Sequence, residues 1–153
     1  MKNFFRFLFI LSCTFLWSQE KKSTATENVK IISENFDVPQ LKTTRRIWIY
    51  LPKDYETSRK KYEVFYLQDA QNLFDDATSY AGEWQADETL NKIFEKTGKS
   101  VIIVGIDNGG EKRIEELSPF NNAKYGGGNG ENYVKFIVET LKPYIDKNYR
   151  TKS

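Results

Sequence analysis

Phe65-Tyr66-Leu67-Gln68-Asp69-Ala70-Gln71-Asn72-Leu73-Phe74-Asp75 is the stretch whose reading decides the fold. Its front end completes the apolar run Tyr62 to Leu67, the kind of strand that is buried on both faces. Residues 68–72, polar except for Ala70, then break the run. Downstream, Gln85 to Lys96 places Ala86, Leu90, Ile93 and Phe94 at helical spacing, and Gly98 ends that pattern. A second unbroken apolar strand, Val101 to Ile106, leads into the turn Asp107-Asn108-Gly109-Gly110. Upstream, Val29 to Val38 is a mixed, strand-like segment bounded by Pro39. Arg46 to Leu51 is rich in β-branched and aromatic residues and stops at Pro52. Residues 121–130 form a Gly/Asn-rich loop. A final helix is expected over Glu131 to Tyr149, with Tyr133, Phe136, Ile137, Leu141, Tyr144 and Ile145 on one face. Asn129 is its expected cap, and Pro143 is expected to kink or tighten it.

The order β-β-β-α-β-α predicts an α/β fold, a mostly parallel sheet with helices on both faces. In a doubly wound sheet the last helix hands over to a further strand. Residues 20–153 are therefore expected to be the front portion of a longer domain.

Composition narrows the chemistry. The 153 residues are 39% hydrophobic and 29% charged, which suits one globular domain rather than a disordered chain. There is no histidine, so the chain alone holds neither a Ser-His-Asp nor a Cys-His set, nor a His-based zinc or iron site. Its one cysteine closes no internal disulfide.

Lys2 and Arg6 precede the apolar run Phe7 to Trp17, which reads as a signal peptide over residues 1–19 with cleavage near Ser18 or Gln19. Cys13, within Leu11-Ser12-Cys13, offers a lipid anchor as the alternative. Residues 1–19 carry two bases and no acid. Their removal takes the 23 bases to parity with the 21 acids, which argues against a general nucleic-acid binder. The expectation is an exported protein, periplasmic or secreted, that meets a membrane only through its signal or Cys13.

Several local patterns invite other chemistry. Gly98-Lys99-Ser100 lacks the leading glycine and following helix of a phosphate loop. Gly126-Gly127-Gly128-Asn129-Gly130 does not spell a dinucleotide fingerprint and reads as a loop at the rim of a site. Asp69, Asp75, Asp76, Asp87 and Glu88 have no EF-hand spacing and read as solvated loop and helix-start acids rather than calcium ligands. Arg113 and Glu116, three apart, read as a structural pair.

Four motifs in order carry a family resemblance. They are the 65–75 stretch, Tyr80-Ala81-Gly82-Glu83-Trp84, and Val104-Gly105-Ile106-Asp107-Asn108-Gly109 with Arg113, Glu116 and Ser118-Pro119. The fourth is Leu141 to Asp146 with Tyr149-Arg150-Thr151. Over about residues 40–153 they resemble the front half of the putative-esterase family of α/β-hydrolases, the enterochelin-esterase-like and esterase-D-like enzymes.

The resemblance implies a serine esterase that cleaves carboxylic esters through an acyl-serine intermediate, without a cofactor or metal. It implies an oxyanion donor after the third strand, the Gln71 backbone N–H, helped by Ala70. One such donor is worth about 3 kcal/mol in the transition state. The family usually reads Asp-Gly-Gln here. Ala70 replaces the glycine, which costs free energy if the position needs positive φ. Asn72, Glu83 and Trp84 become substrate-side candidates, with loop closure, a helix-start acid and a packed indole as their plain alternatives.

The resemblance also puts the Gly-x-Ser-x-Gly elbow beyond Tyr149-Arg150-Thr151, and the acid and histidine later still. Ser79, Ser100 and Ser118 lack that context. The chain as given is therefore expected to be inactive, the truncated front of an enzyme for a small-molecule or saccharide ester. Two alternatives stay open: a non-catalytic exported carbohydrate- or peptide-binding module, and an inactive remnant.

Overall fold

Ile47-Trp48-Ile49-Tyr50 has no polar residue on either face, so a strand built from it must lie inside a sheet with a layer on each side. The computed structural model describes residues 21–152 and places it there. The predicted signal segment 1–19 and Cys13 lie outside the described residues. Strand β1 is Val29–Val38, β2 Thr43–Tyr50, β3 Val64–Gln68 and β4 Ile102–Ile106, in the spatial order β1-β2-β4-β3. Helix α1 is Ala86–Thr97 and α2 Arg113–Leu117. A continuous helical rod follows, made of α3 Gly130–Lys135, a π-helical stretch Phe136–Leu141, and α4 Lys142–Asn148.

The α/β architecture stands, but the expected mostly parallel sheet is mixed over the described residues. β1–β2 and β2–β4 pair antiparallel, and β3–β4 pairs parallel, from Val64 opposite Ile102 to Gln68 opposite Ile106. Connection length decides this. Only a short 3-10 turn, Pro39–Leu41, joins β1 to β2, whereas β3 reaches β4 through a loop and α1, long enough for a crossover. Beyond the rod, Thr151 makes a parallel bridge to Tyr62. The Tyr62 N–H donates to Arg150 O (2.9 Å) and the Lys152 N–H to Tyr62 O (2.8 Å).

The two faces carry separate cores. Ile47, Ile49, Ile102, Val104 and Ile106 pack on Tyr133, Phe136, Leu141 and Ile145 of the rod. Trp48, Tyr50 and Ile103 pack on Ala70, Leu73 and Phe74, with Ala86 and Leu90 of α1 against them. The period-two alternation of β2 and β4 sorts these residues between layers.

Several local expectations change. The buried positions of α1 are Asp87 and Asn91, not its apolar stripe, and Ile93 is 42% exposed. Asp87 Oδ2 accepts from the Thr26 N–H (2.8 Å) and hydroxyl (2.6 Å). Asn91 Oδ1 accepts from the Tyr50 hydroxyl and Asn28 Nδ2, each at 3.1 Å. A polar seam thus docks α1, and Asp87 is not the solvated acid expected of a helix start. Asp75 is buried as well, and its carboxylate accepts from the Ser23 hydroxyl (2.7 Å) and the Thr24 N–H (3.1 Å).

The expected Arg113–Glu116 pair does not form. Glu116 turns inward to Arg45 of β2 in a nearly buried ion pair, and Arg113 turns to Asp69. Asn129 sits at the cap position of α3 without capping it: its Oδ1 accepts from Asn132 Nδ2 (3.2 Å) rather than from a backbone N–H, and its Nδ2 donates to Glu115 Oε1 (2.7 Å). Pro143 does not tighten its turn. The turn before it widens, with the Lys142 N–H reaching Ile137 O five residues back. Proline offers no N–H to the carbonyl four residues earlier, and its ring crowds that carbonyl.

Gly105 of β4 faces the second layer, where a Cβ would lie 2.8 Å from Ala70 Cβ and 3.2 Å from Phe74 Cε2. Gly105→Ala should therefore destabilise the chain by about 1–3 kcal/mol through overpacking. Adding Ala70→Gly should return part of that loss in denaturant unfolding. Strictly additive losses would show that these two positions do not share the space.

Candidate functional site

Because β3 and β4 run parallel, their carboxyl ends lie side by side, and the loops that follow them meet. This is where open α/β sheets place their ligands. Gln68 ends β3. Asp69 then takes a left-handed conformation (φ 58°, ψ 39°), and Ala70–Asn72 form a 3-10 turn. The Asn72 N–H closes on Asp69 O (2.9 Å) and the Leu73 N–H on Ala70 O (3.0 Å).

Asp69, not Ala70, carries the positive φ. The replacement of glycine by alanine is therefore unstrained, and the buried Ala70 methyl fills the room left by Gly105. A short polar side chain tolerates the left-handed region better than most.

Three hydrogen bonds hold Asp69. Arg113 grips both carboxylate oxygens, Nε to Oδ1 at 2.8 Å and NH2 to Oδ2 at 2.7 Å, and Asn108 Nδ2 donates to Oδ1 at 2.6 Å. The Arg113 bonds, opposed by burial and helped by Asn108, keep the carboxyl below its ordinary range. Gln71 ties the same two loops together, its Oε1 accepting the Asn108 N–H at 3.3 Å.

Among the described residues, the Ala70 and Gln71 amides donate to no backbone carbonyl of another loop or turn. The Gln71 amide does act on the Asp107 carboxylate just beyond β4. Burial pushes that carboxyl up. The Trp48 indole N–H (2.8 Å to Oδ1), the Arg46 charge and the Gln71 amide pull it back, while Glu34 adds to the rise. The Gln71 N–H thus faces negative charge at the carboxyl end of the sheet.

The other candidates flank this turn. Asn72 closes its own loop. Its Oδ1 accepts the Tyr80 N–H (3.0 Å) and its carbonyl the Trp84 N–H (2.8 Å). Trp84 is 69% exposed and is not a packed indole, and its neighbour Tyr80 is exposed too. Glu83 is half-buried, with one oxygen that meets no donor. The serines lie elsewhere: the Ser79 hydroxyl donates to Asp76 O, that of Ser118 to Phe120 O, and that of Ser100 contacts Tyr50. The described residues place the Ala70 and Gln71 amides beside the Asp69–Arg113–Asn108 cluster, and none of these three serines has a histidine partner, since the sequence holds no histidine. Asp107 and Asn108, which the sequence offered as a turn and as part of a family motif but not as site residues, belong to this cluster. Their tetrad Asp-Asn-Gly-Gly signals a bend but not which loop the bend meets.

Residues 39–153 match the family model described as "Putative esterase". The uncharacterized protein YbbA of Bacillus subtilis (strain 168) is 27% identical over 112 residues, which covers 69% of this chain and 40% of YbbA. The crystal structure of the BES protein from Bacillus cereus superposes with a TM-score of 0.63 at 26% identity, over 86% of this chain and 50% of that one. That of an IroE-like serine hydrolase from Shewanella oneidensis gives 0.53 at 24% identity, over 80% and 39%, and speaks for the fold alone. The chain spans half or less of the length of these relatives.

Asp69→Asn keeps a side chain that tolerates the left-handed backbone but removes the charge. Since the folded carboxyl is held below its ordinary value, its stabilising contribution should be complete above about pH 4 and fade as pH falls through the folded value. With Arg113 half exposed, the difference between wild type and variant should be about 1 kcal/mol near pH 7, in urea unfolding, and should shrink towards pH 3. A difference independent of pH would mean that the charge contributes nothing.

Proposed function

The chain belongs to the putative esterase family, and from that premise we propose that it supplies the oxyanion-binding side of a serine esterase with an α/β-hydrolase-like fold. The observation that carries the reading is the turn at the carboxyl end of β3. There the Ala70 and Gln71 amides are tied to no backbone carbonyl of another turn, the Gln71 N–H faces the Asp107 carboxylate, and Asp69 is fixed by Arg113 and Asn108.

Hydrolysis of a carboxylic ester passes through a tetrahedral adduct whose carbonyl oxygen becomes negative. Amides that are already aimed, and need no reorganisation, lower its energy. The latch between the loops after β3 and β4 does the aiming, and the Ala70 methyl against Gly105 sets the height of the turn above the sheet. In this reading the attacking hydroxyl and its histidine belong to polypeptide outside this sequence, which contains no histidine. The hydroxyl forms an acyl-serine, which water then cleaves. Asn72 shapes the loop rather than touching the ester. Exposed Trp84 supplies an apolar surface beside the turn for the acyl or saccharide part of a small ester, and Glu83 lines the same side. The basic and apolar character of residues 1–19 assigns this activity to an exported protein.

Two measurements check this. The purified 153-residue chain should hydrolyse p-nitrophenyl acetate no faster than a heat-killed control; turnover above that control would mean that a complete catalytic set lies within it. In an esterase that carries this segment together with its serine and histidine, replacing the Gln71 N–H by an ester oxygen should lower kcat about 100- to 1000-fold with KM little changed. An unchanged kcat would remove this amide from the chemistry.

A further inference from the structure

Glu83, Asp87 and Glu88 bring three carboxylates to one point, at the junction between the loop after β3 and the first turn of α1. An oxygen of each lies within 4.8 Å of those of the other two. Each also keeps one buried oxygen that meets no donor: Glu83 Oε2, Asp87 Oδ1 and Glu88 Oε2. Asp87 is the telling member. It is 0% exposed, and its Oδ2 is occupied by the Thr26 N–H and hydroxyl, so the orphaned Oδ1 is locked in place rather than free to turn to water. A buried carboxylate oxygen without a partner is costly, and three together repel. The positive end of α1 favours acids here, but its amides leave these three oxygens without partners.

We propose that Glu83, Asp87 and Glu88 form a calcium site that pins the loop carrying Trp84 to helix α1. A hard divalent cation is what an all-oxygen, triply anionic donor set selects. Calcium binds oxygen at about 2.4 Å, so two of its ligands stand no more than about 4.8 Å apart, and it tolerates irregular geometry with water completing the shell. Magnesium demands a tighter octahedron and keeps more of its own water. Two ligands come from the helix and one from the loop, so the ion ties the loop to the first turn of α1, while Trp84 N–H to Asn72 O and Ala86 N–H to Leu73 O hold both to the turn after β3. Through Asp87 and Thr26 the same ion braces the segment before β1. The site does not depend on the ester chemistry proposed above, and its test requires no turnover.

The full chain, stripped with a chelator, should bind Ca2+ in calorimetric titration with a Kd of about 0.1–1 mM, the range of extracellular calcium modules. Its Tm should rise by about 5 °C once Ca2+ is in large excess over that Kd. Tb3+ should bind in place of Ca2+, show luminescence excited through the neighbouring Trp84, and be displaced by Ca2+. Glu83→Gln and Glu88→Gln change half-buried positions and leave Asp87 with Thr26, so these variants should still melt cooperatively while their Ca2+ affinity falls at least tenfold. Three results would overturn the proposal: no binding heat and no Tm change at about 10 mM Ca2+, equal affinity in the two variants, or a Mg2+ response as large as that to Ca2+.

Discussion

The carboxylate of Asp69 is the junction on which the rest depends. Its backbone has left the β3 ladder in a left-handed conformation, and its side chain is gripped by Arg113 from α2 and by Asn108 from the loop after β4. One residue therefore both turns the chain and ties the two loops that the parallel β3–β4 pair brings together. Without that grip the local strain of a non-glycine residue at positive φ would have no opposing gain, and the amides that follow would lose their direction. Arg113 is half exposed, so the strength of the latch lies in its bidentate geometry and its second donor rather than in burial.

The surrounding fold makes this junction rigid from below and from the side. Below, the absence of a side chain at Gly105 lets Ala70 seat on the sheet, so the turn rests on packed atoms. To the side, α1 is docked by polar residues as much as by apolar ones. Asp87 and Asn91 face Thr26, Asn28 and Tyr50, which makes the segment before β1 part of the frame that holds the helix. On the far face the helical rod covers β2 and β4 with Tyr133, Phe136, Leu141 and Ile145, and its π-helical stretch is the widening that Pro143 requires. Arg45 and Glu116, paired in near-complete burial, join β2 to α2 and so fix the helix from which Arg113 reaches Asp69.

The strands were legible because Ile47 to Tyr50 and Ile102 to Ile106 are runs in which either face must be buried, and that pattern needs no partner to be recognised. The C-terminal end of α1 was legible too, since Gly98 takes the left-handed cap for which its position calls. Pairings were not. Arg113 and Glu116 sit one helical turn apart, yet their partners lie 44 and 71 residues away, at distances that only the folded sheet closes. Asp87 looked like a solvated acid because helix starts favour acids, and the hydroxyl that buries it is 61 residues upstream. The positive φ fell on Asp69 rather than on the alanine that replaces the usual glycine, because the turn begins one residue earlier than the motif suggests. The mixed sheet follows from the short connection before β2, where strand direction depends on loop geometry rather than on hydrophobic pattern.

The most direct measurement is a crystal structure of an esterase that contains residues 21–152 of this chain and its own catalytic serine, trapped by a phosphonate. The phosphonyl oxygen, which stands in for the negative oxygen of the adduct, should lie about 2.7–3.1 Å from the Gln71 nitrogen. Asp69 should keep its left-handed turn and its bonds to Arg113 and Asn108. A phosphonyl oxygen held elsewhere, with the Gln71 amide still turned to Asp107, would contradict the assignment.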